Sequence, residues 1–96
     1  MSLLFSSFHL SSPKGRLTLK NRVVVAPMCQ YSANDGAMSD WHLQHLMALA
    51  MSGAGLIMIE ATGVERRGRI THGCVGLYND ANERAIDRKS TRLNSS

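Results

Sequence analysis

Cys29 and Tyr31 stand two residues apart, directly after Ala26-Pro27-Met28. The run Val23-Val24-Val25 precedes them. Three β-branched residues in a row read as a strand buried on both faces, the pattern of parallel sheets. Pro27 has no N–H and restricts the residue before it to extended geometry, so regular pairing should stop there. Small, rigid and sulfur-bearing residues then collect at the carboxyl end of a strand, where parallel α/β folds place ligands. On an extended segment Tyr31 would point the same way as Cys29, and its phenol could hydrogen-bond a substrate carbonyl. Taken singly, a free cysteine is more often a small buried hydrophobe, and a lone loop tyrosine is more often a packed surface residue.

Other reactive side chains carry less. His42 and His45 lie three apart, with His72 and Cys74 further on, but the set is scattered over a helix and two loops and lacks the tight pairs of a zinc site. No metal site is expected. Neither GxGxxG nor GxxxxGK[ST] occurs, so a Rossmann or P-loop nucleotide site is unsupported. Glu60 is the acid beside the apolar run Leu56-Ile57-Met58-Ile59, and it reads as an ion-pair partner for an arginine such as Arg22 rather than as a catalyst. Ala61 follows it and, taken alone, is equally a strand-end residue with no task. Lys20-Asn21-Arg22 reads as structural.

These residues need elements to place them. Leu3 to Leu10 and Leu17 to Leu19 flank Ser11-Ser12-Pro13-Lys14-Gly15, a hairpin whose connection should be looser than a two-residue turn. A strand over residues 23–28 leads into a loop marked by Asn34-Asp35-Gly36. Ser39 and Asp40 suit a helix N-terminus, and Leu43, Leu46, Met47, Leu49 and Ala50 recur at helical spacing up to Ser52-Gly53. A second strand follows from Gly55. Strand, loop, helix and strand make a βαβ unit over residues 23–60, which implies a parallel sheet. Residues 62–76 read as a long polar loop, and Asn79-Asp80 caps a final helix that ends near Ile86. Residues 87–96 show no apolar face and resemble the translation of a sequencing-library adapter. They are expected to be a non-native or disordered tail behind a residue 1–86 domain.

Composition narrows the class. The chain has 96 residues, 44% of them hydrophobic and 19% charged, which is globular rather than disordered but far short of the ~250 residues of a complete β/α barrel. Net charge is +4, with only five aromatics and none among Arg66, Arg67 and Arg69, so no nucleic-acid surface is expected. Two cysteines 45 positions apart form no disulfide framework. Without a signal-peptide pattern or an apolar stretch of ~20 residues, a cytoplasmic location and no membrane contact are expected.

The order Leu19-Lys20-Asn21-Arg22 … Pro27-Met28-Cys29-x-Tyr31 resembles the start of the old yellow enzyme family, in particular its bacterial branch with a cysteine near the flavin. The likeness covers about residues 3–86 and includes Gly68-Arg69-Ile70-Thr71, which is given no catalytic role. It implies an α/β fold, the N-terminal part of a (β/α)8 TIM barrel preceded by a β-hairpin. It further implies an FMN-dependent ene-reductase that takes hydride from NAD(P)H and passes it to the C=C bond of an enone or enal, as a homo-oligomer. Ala26, Pro27, Met28, Cys29 and Ala61 match flavin-lining positions, and Tyr31 matches a substrate-binding one. No catalytic residue can be mapped, because the proton donor and phosphate site belong to later strands. The 96-residue chain by itself is then expected to be inactive. A non-catalytic module, or another flavin barrel such as a dihydroorotate or dihydrouridine dehydrogenase, stays open.

Overall fold

The computed structural model describes residues 3–94. A 3-10 turn at Leu3–Phe5 leads into strands β1 (Phe8–Ser12) and β2 (Gly15–Leu19), which pair antiparallel from Phe8↔Leu19 to Ser12↔Gly15. The connection is therefore a two-residue turn at Pro13-Lys14, tighter than expected. Gly15 explains it, because its φ of +148° accepts the chain where a side chain would be strained.

Strand β3 (Val24–Val25) pairs in parallel with β4 (Leu56–Ile57), and helix α1 (Asp40–Ala50) forms the crossover between them. Hydrogen bonds from Gly55 N to Val23 O and from Met58 N to Val25 O extend the ladder by one rung at each end (2.9 and 3.0 Å). The βαβ unit is as expected, but burial on both faces is not. Val24 is 48% exposed, because among the described residues β3 has a neighbour on one edge only. Residues 62–76 are also more ordered than a loop. Strands β5 (Thr62–Gly63) and β6 (Val75–Gly76) pair in parallel around a 3-10 turn at Arg66–Gly68.

Helix α2 (Asp80–Asn94) begins as expected: the Asn79 side chain accepts the Asn82 N–H at 2.8 Å. It then differs from expectation. It runs on through residues 87–94 instead of stopping at Ile86, and Lys89 lies buried. Once a capped helix exists, each added residue costs little, and Arg and Lys are good helix formers. The last two residues of the expected tail lie outside the described residues.

The core is small. Met38, Leu46 and Val75 are buried together, with Ala33, Ile57, Ala85 and Ile86 packed around them. Asn21 braces its lower end by accepting the Val23 N–H at 3.0 Å and donating to Gly53 O at 2.7 Å. Gly55 sits against this brace, where an added Cβ would collide with the Asn21 carbonyl.

Glu60 does not meet Arg22. Its carboxylate lies 3.5 Å from His42 Nε2, with both side chains at least nine-tenths buried. Arg22 instead sits over the Phe8 ring and donates to Ser7 O. The His42 Nδ1 accepts the Ser39 backbone N–H at 3.0 Å, closing a box at the start of α1. A neutral ring that accepts at Nδ1 carries its proton on Nε2, facing Glu60. Burial pushes the His42 pKa below its usual 6.5, Glu60 pulls it up, and His45 and Lys89 push it down. Since the folded value is depressed, His42 contributes stability above pH 6.5 that is lost as pH falls toward the folded value.

Two outcomes follow. Gly55→Ala should lower stability by about 1–3 kcal/mol, whereas Gly68→Ala, with nothing near its Cβ, should stay within about 0.5 kcal/mol; urea midpoints compare them. Acidification below pH 6.5 should lower the melting temperature, and His42→Gln should flatten that slope. An unchanged slope in His42→Gln would remove His42 as its source.

Candidate functional site

The parallel pairing of β3 and β4 brings two chain segments to one edge, the carboxyl ends of both strands. Residues 26–31 leave β3 there, and residues 58–61 leave β4. Ala26, Pro27, Met28 and Ala61 are exposed, and Cys29 is half-buried. The structure thus brings five of the six sequence-derived positions to the same rim. It does not keep the chain extended through the sixth. Tyr31 has a φ of +55°, so the period-two relation to Cys29 fails; the side chain is 60% exposed.

The left-handed residue Tyr31 lies between segments held by other elements. The Gln30 side chain donates to Met28 O at 2.9 Å and accepts the Trp41 indole N–H at 3.1 Å. Ser32 Oγ donates to Gln30 O at 2.9 Å. Ala33 N–H donates to Gly73 O at 3.0 Å. Gly73 itself rests against Tyr31, and a Cβ on it would collide with the Tyr31 carbonyl.

A second knot holds the loop farther along. Asp35, also left-handed with φ +45°, accepts two hydrogen bonds from Arg66 at 2.9 and 3.0 Å, one from Tyr78 Oη at 3.0 Å and one from Arg69 at 3.4 Å. The Arg66 and Tyr78 bonds hold the Asp35 carboxyl down at about 2, and Asp35 in return raises the Arg66 guanidinium. Buried Asn82 donates to Asp35 O at 3.1 Å and accepts Tyr78 N–H at 3.3 Å. Gly36 fits beneath Tyr78 with φ +81°, where any side chain would meet the phenol. The knot ties the segment after β3 to the one after β5 and to the start of α2.

Gln30, Trp41, Gly73 and Asn82 belong to no sequence motif. Asn34-Asp35-Gly36 signals a turn, but its arginine partners lie 31 and 34 positions away. Cys74 is buried, and the Thr71 hydroxyl and N–H beside its sulfur hold the thiol below its usual range. Among the described residues no three His, Cys, Asp or Glu gather as a metal would need, and no helix is long and apolar enough to cross a membrane.

Residues 4–88 match the model of the NADH:flavin oxidoreductase / NADH oxidase family. An NADH:flavin oxidoreductase of Gibberella zeae is 47% identical over 79 residues, covering 82% of this chain and 19% of the relative. An NADPH dehydrogenase of Listeria monocytogenes serotype 4a is 43% identical over 90 residues, covering 92% and 25%. Among solved structures, morphinone reductase in complex with tetrahydroNAD superposes with a TM-score of 0.78 at 27% identity, over 99% of this chain and 24% of that one. A variant of NCR from Zymomonas mobilis gives 0.74 at 25% identity, over 99% and 29%. The chain spans roughly a fifth to a quarter of the length of these curated relatives. Its α/β architecture is the hairpin and opening strands of a (β/α)8 barrel, and the chain belongs to the NADH:flavin oxidoreductase / NADH oxidase family, the old yellow enzymes.

Proposed function

We propose that this chain is the opening part of an FMN-dependent oxidoreductase that takes hydride from NAD(P)H and reduces the C=C bond of α,β-unsaturated carbonyl compounds. One observation carries the reading: the rim where β3 and β4 end exposes small and apolar side chains from both strands, Ala26-Pro27-Met28 and Ala61. These residues fit a flavin. A flat ring needs a wall without bulk, and Ala and Pro leave backbone accessible to it. FMN, when bound, would supply the two-electron relay between nicotinamide and substrate.

The chain's own residues would do the rest locally. Ala26, Pro27, Met28 and Ala61 would form the wall. The Cys29 thiol would hydrogen-bond the ring's polar edge and set its potential. The exposed Tyr31 phenol would donate a hydrogen bond to the substrate carbonyl and orient it. The phosphate anchor of such barrels lies near the last strands, so residues 1–96 alone should bind FMN weakly and turn over no enone.

The test has two arms. Residues 1–96 titrated with FMN should leave flavin fluorescence nearly unquenched and should not reduce cyclohexenone. Joined to the remainder of the barrel from the Listeria relative, the protein should be yellow and active. There Cys29→Ala should move the flavin midpoint potential, and Tyr31→Phe should raise KM by about 2–10-fold, the loss of one hydrogen bond. Potential and KM unchanged in both variants would defeat the assignment. Phe8, Leu10 and Val24, all exposed, also favour a second property of the isolated chain, self-association, which size-exclusion chromatography at increasing concentration would register as a rising apparent mass.

A further inference from the structure

Tyr31 is neither glycine nor asparagine, yet its φ is +55°. Left-handed backbone at such a residue persists only where the surroundings over-determine it, and it clusters at functional sites. Two contacts supply the constraint here. Gly73 packs so closely on the Tyr31 carbonyl that no Cβ fits between them, and its own carbonyl takes the Ala33 N–H at 3.0 Å. On the other side, Gln30 spans from Met28 O (2.9 Å) to the Trp41 indole N–H (3.1 Å). Trp41 is in turn stacked on His45 with ring centroids 6.0 Å apart, so this strut is anchored in the first two turns of α1. The residues before and after Tyr31 are thus pinned to different elements, and the tyrosine absorbs the bend.

We propose that Gln30 and Gly73 are positioning residues for Tyr31: they hold its backbone left-handed and thereby keep the phenol exposed. Were residue 31 extended, its side chain would alternate with those of residues 30 and 32 and follow Cys29. The bend separates the two, so thiol and phenol can serve different parties. What the phenol meets rests on the flavin-barrel reading; the clamp does not.

The test uses the 96-residue chain labelled for NMR. The sign of φ at Tyr31 is read from the strength of its intraresidue HN–Hα cross-peak and its three-bond couplings. The unaltered chain should show positive φ. Gly73→Ala inserts a methyl at the Tyr31 carbonyl and Gln30→Ala removes the strut; each should abolish the positive-φ signature while far-UV helicity stays unchanged. Trp41→Phe keeps a ring over His45 but loses the donor, and should weaken the signature. If Gly73→Ala fails to fold, Gln30→Ala and Trp41→Phe decide. Positive φ retained in folded Gln30→Ala, or missing in the unaltered chain, overturns the clamp. In the FMN-loaded chimera, Gln30→Ala should raise KM for cyclohexenone about tenfold with the flavin absorption spectrum unchanged. An unaltered KM beside a lost signature would overturn the positioning role. A chimera that binds no FMN would defeat the flavin reading, with the NMR result still standing.

Discussion

Two rungs of parallel pairing, Val24 with Leu56 and Val25 with Ile57, set the geometry of everything else. Parallel strands joined by a helix must both point the same way, so both release their chain at one edge. That single fact brings Cys29 and Ala61, 32 positions apart in sequence, to a common rim. Without the pairing, residues 26–31 and 58–61 are two unrelated loops. The helix that enforces it is held at its start by His42, which closes the cap at Ser39 and faces Glu60, three residues beyond β4. One buried side chain therefore links the helix N-terminus to the rim.

Glu60 and His42 illustrate why the apolar core alone does not explain the fold. Buried charge is costly unless paired, and a core cluster of three buried apolar side chains, Met38, Leu46 and Val75, offers little to offset it. Among the described residues His42 Nε2 and Glu60 Oε1 have no hydrogen-bond partner, so the pair is incompletely satisfied. Such groups stabilise poorly but permit few alternatives: a helix rotated or slid along the sheet would leave the carboxylate facing apolar side chains. The pair thus specifies register more than it adds stability.

The βαβ order, the Ser39 cap and the Asn79 start of α2 were legible because each depends on neighbours close in sequence or on hydrophobic period. What was not legible depends on distance. The His42–Glu60 pair joins residues 18 apart, and the Asp35 knot joins residues 31 to 47 apart; nothing local marks either. Strands β5 and β6 are two residues each, below the length at which alternation can be read. The bend at Tyr31 was not legible for a related reason. Period two assumes an extended chain, and Gly73, 42 positions on, is what bends it. The exposure of Val24 has another origin: a buried-strand composition reports the surface a strand is built to cover, not whether a neighbour is present.

That last mismatch bears on how the chain holds together. A domain of this size buries a smaller share of its surface than a larger one, and here much of the apolar surface is not used. Phe8, Leu10, Leu19, Val24 and Leu56, with Arg22, line a hollow of about 300 Å³ between the hairpin and the lower end of the sheet. The order seen elsewhere comes from polar ties: the Asn21 brace, the Gln30 strut and the Asp35 knot. Polar ties fix direction but contribute only about 0.5–1.5 kcal/mol each, whereas filling an apolar hollow scales with area. The loops at the rim are therefore locally well determined while the sheet beneath them is weakly held. Stiffening of the site and stabilisation of the fold depend on different interactions in this chain, and a contact that covers β3 would strengthen the second with little change in the first.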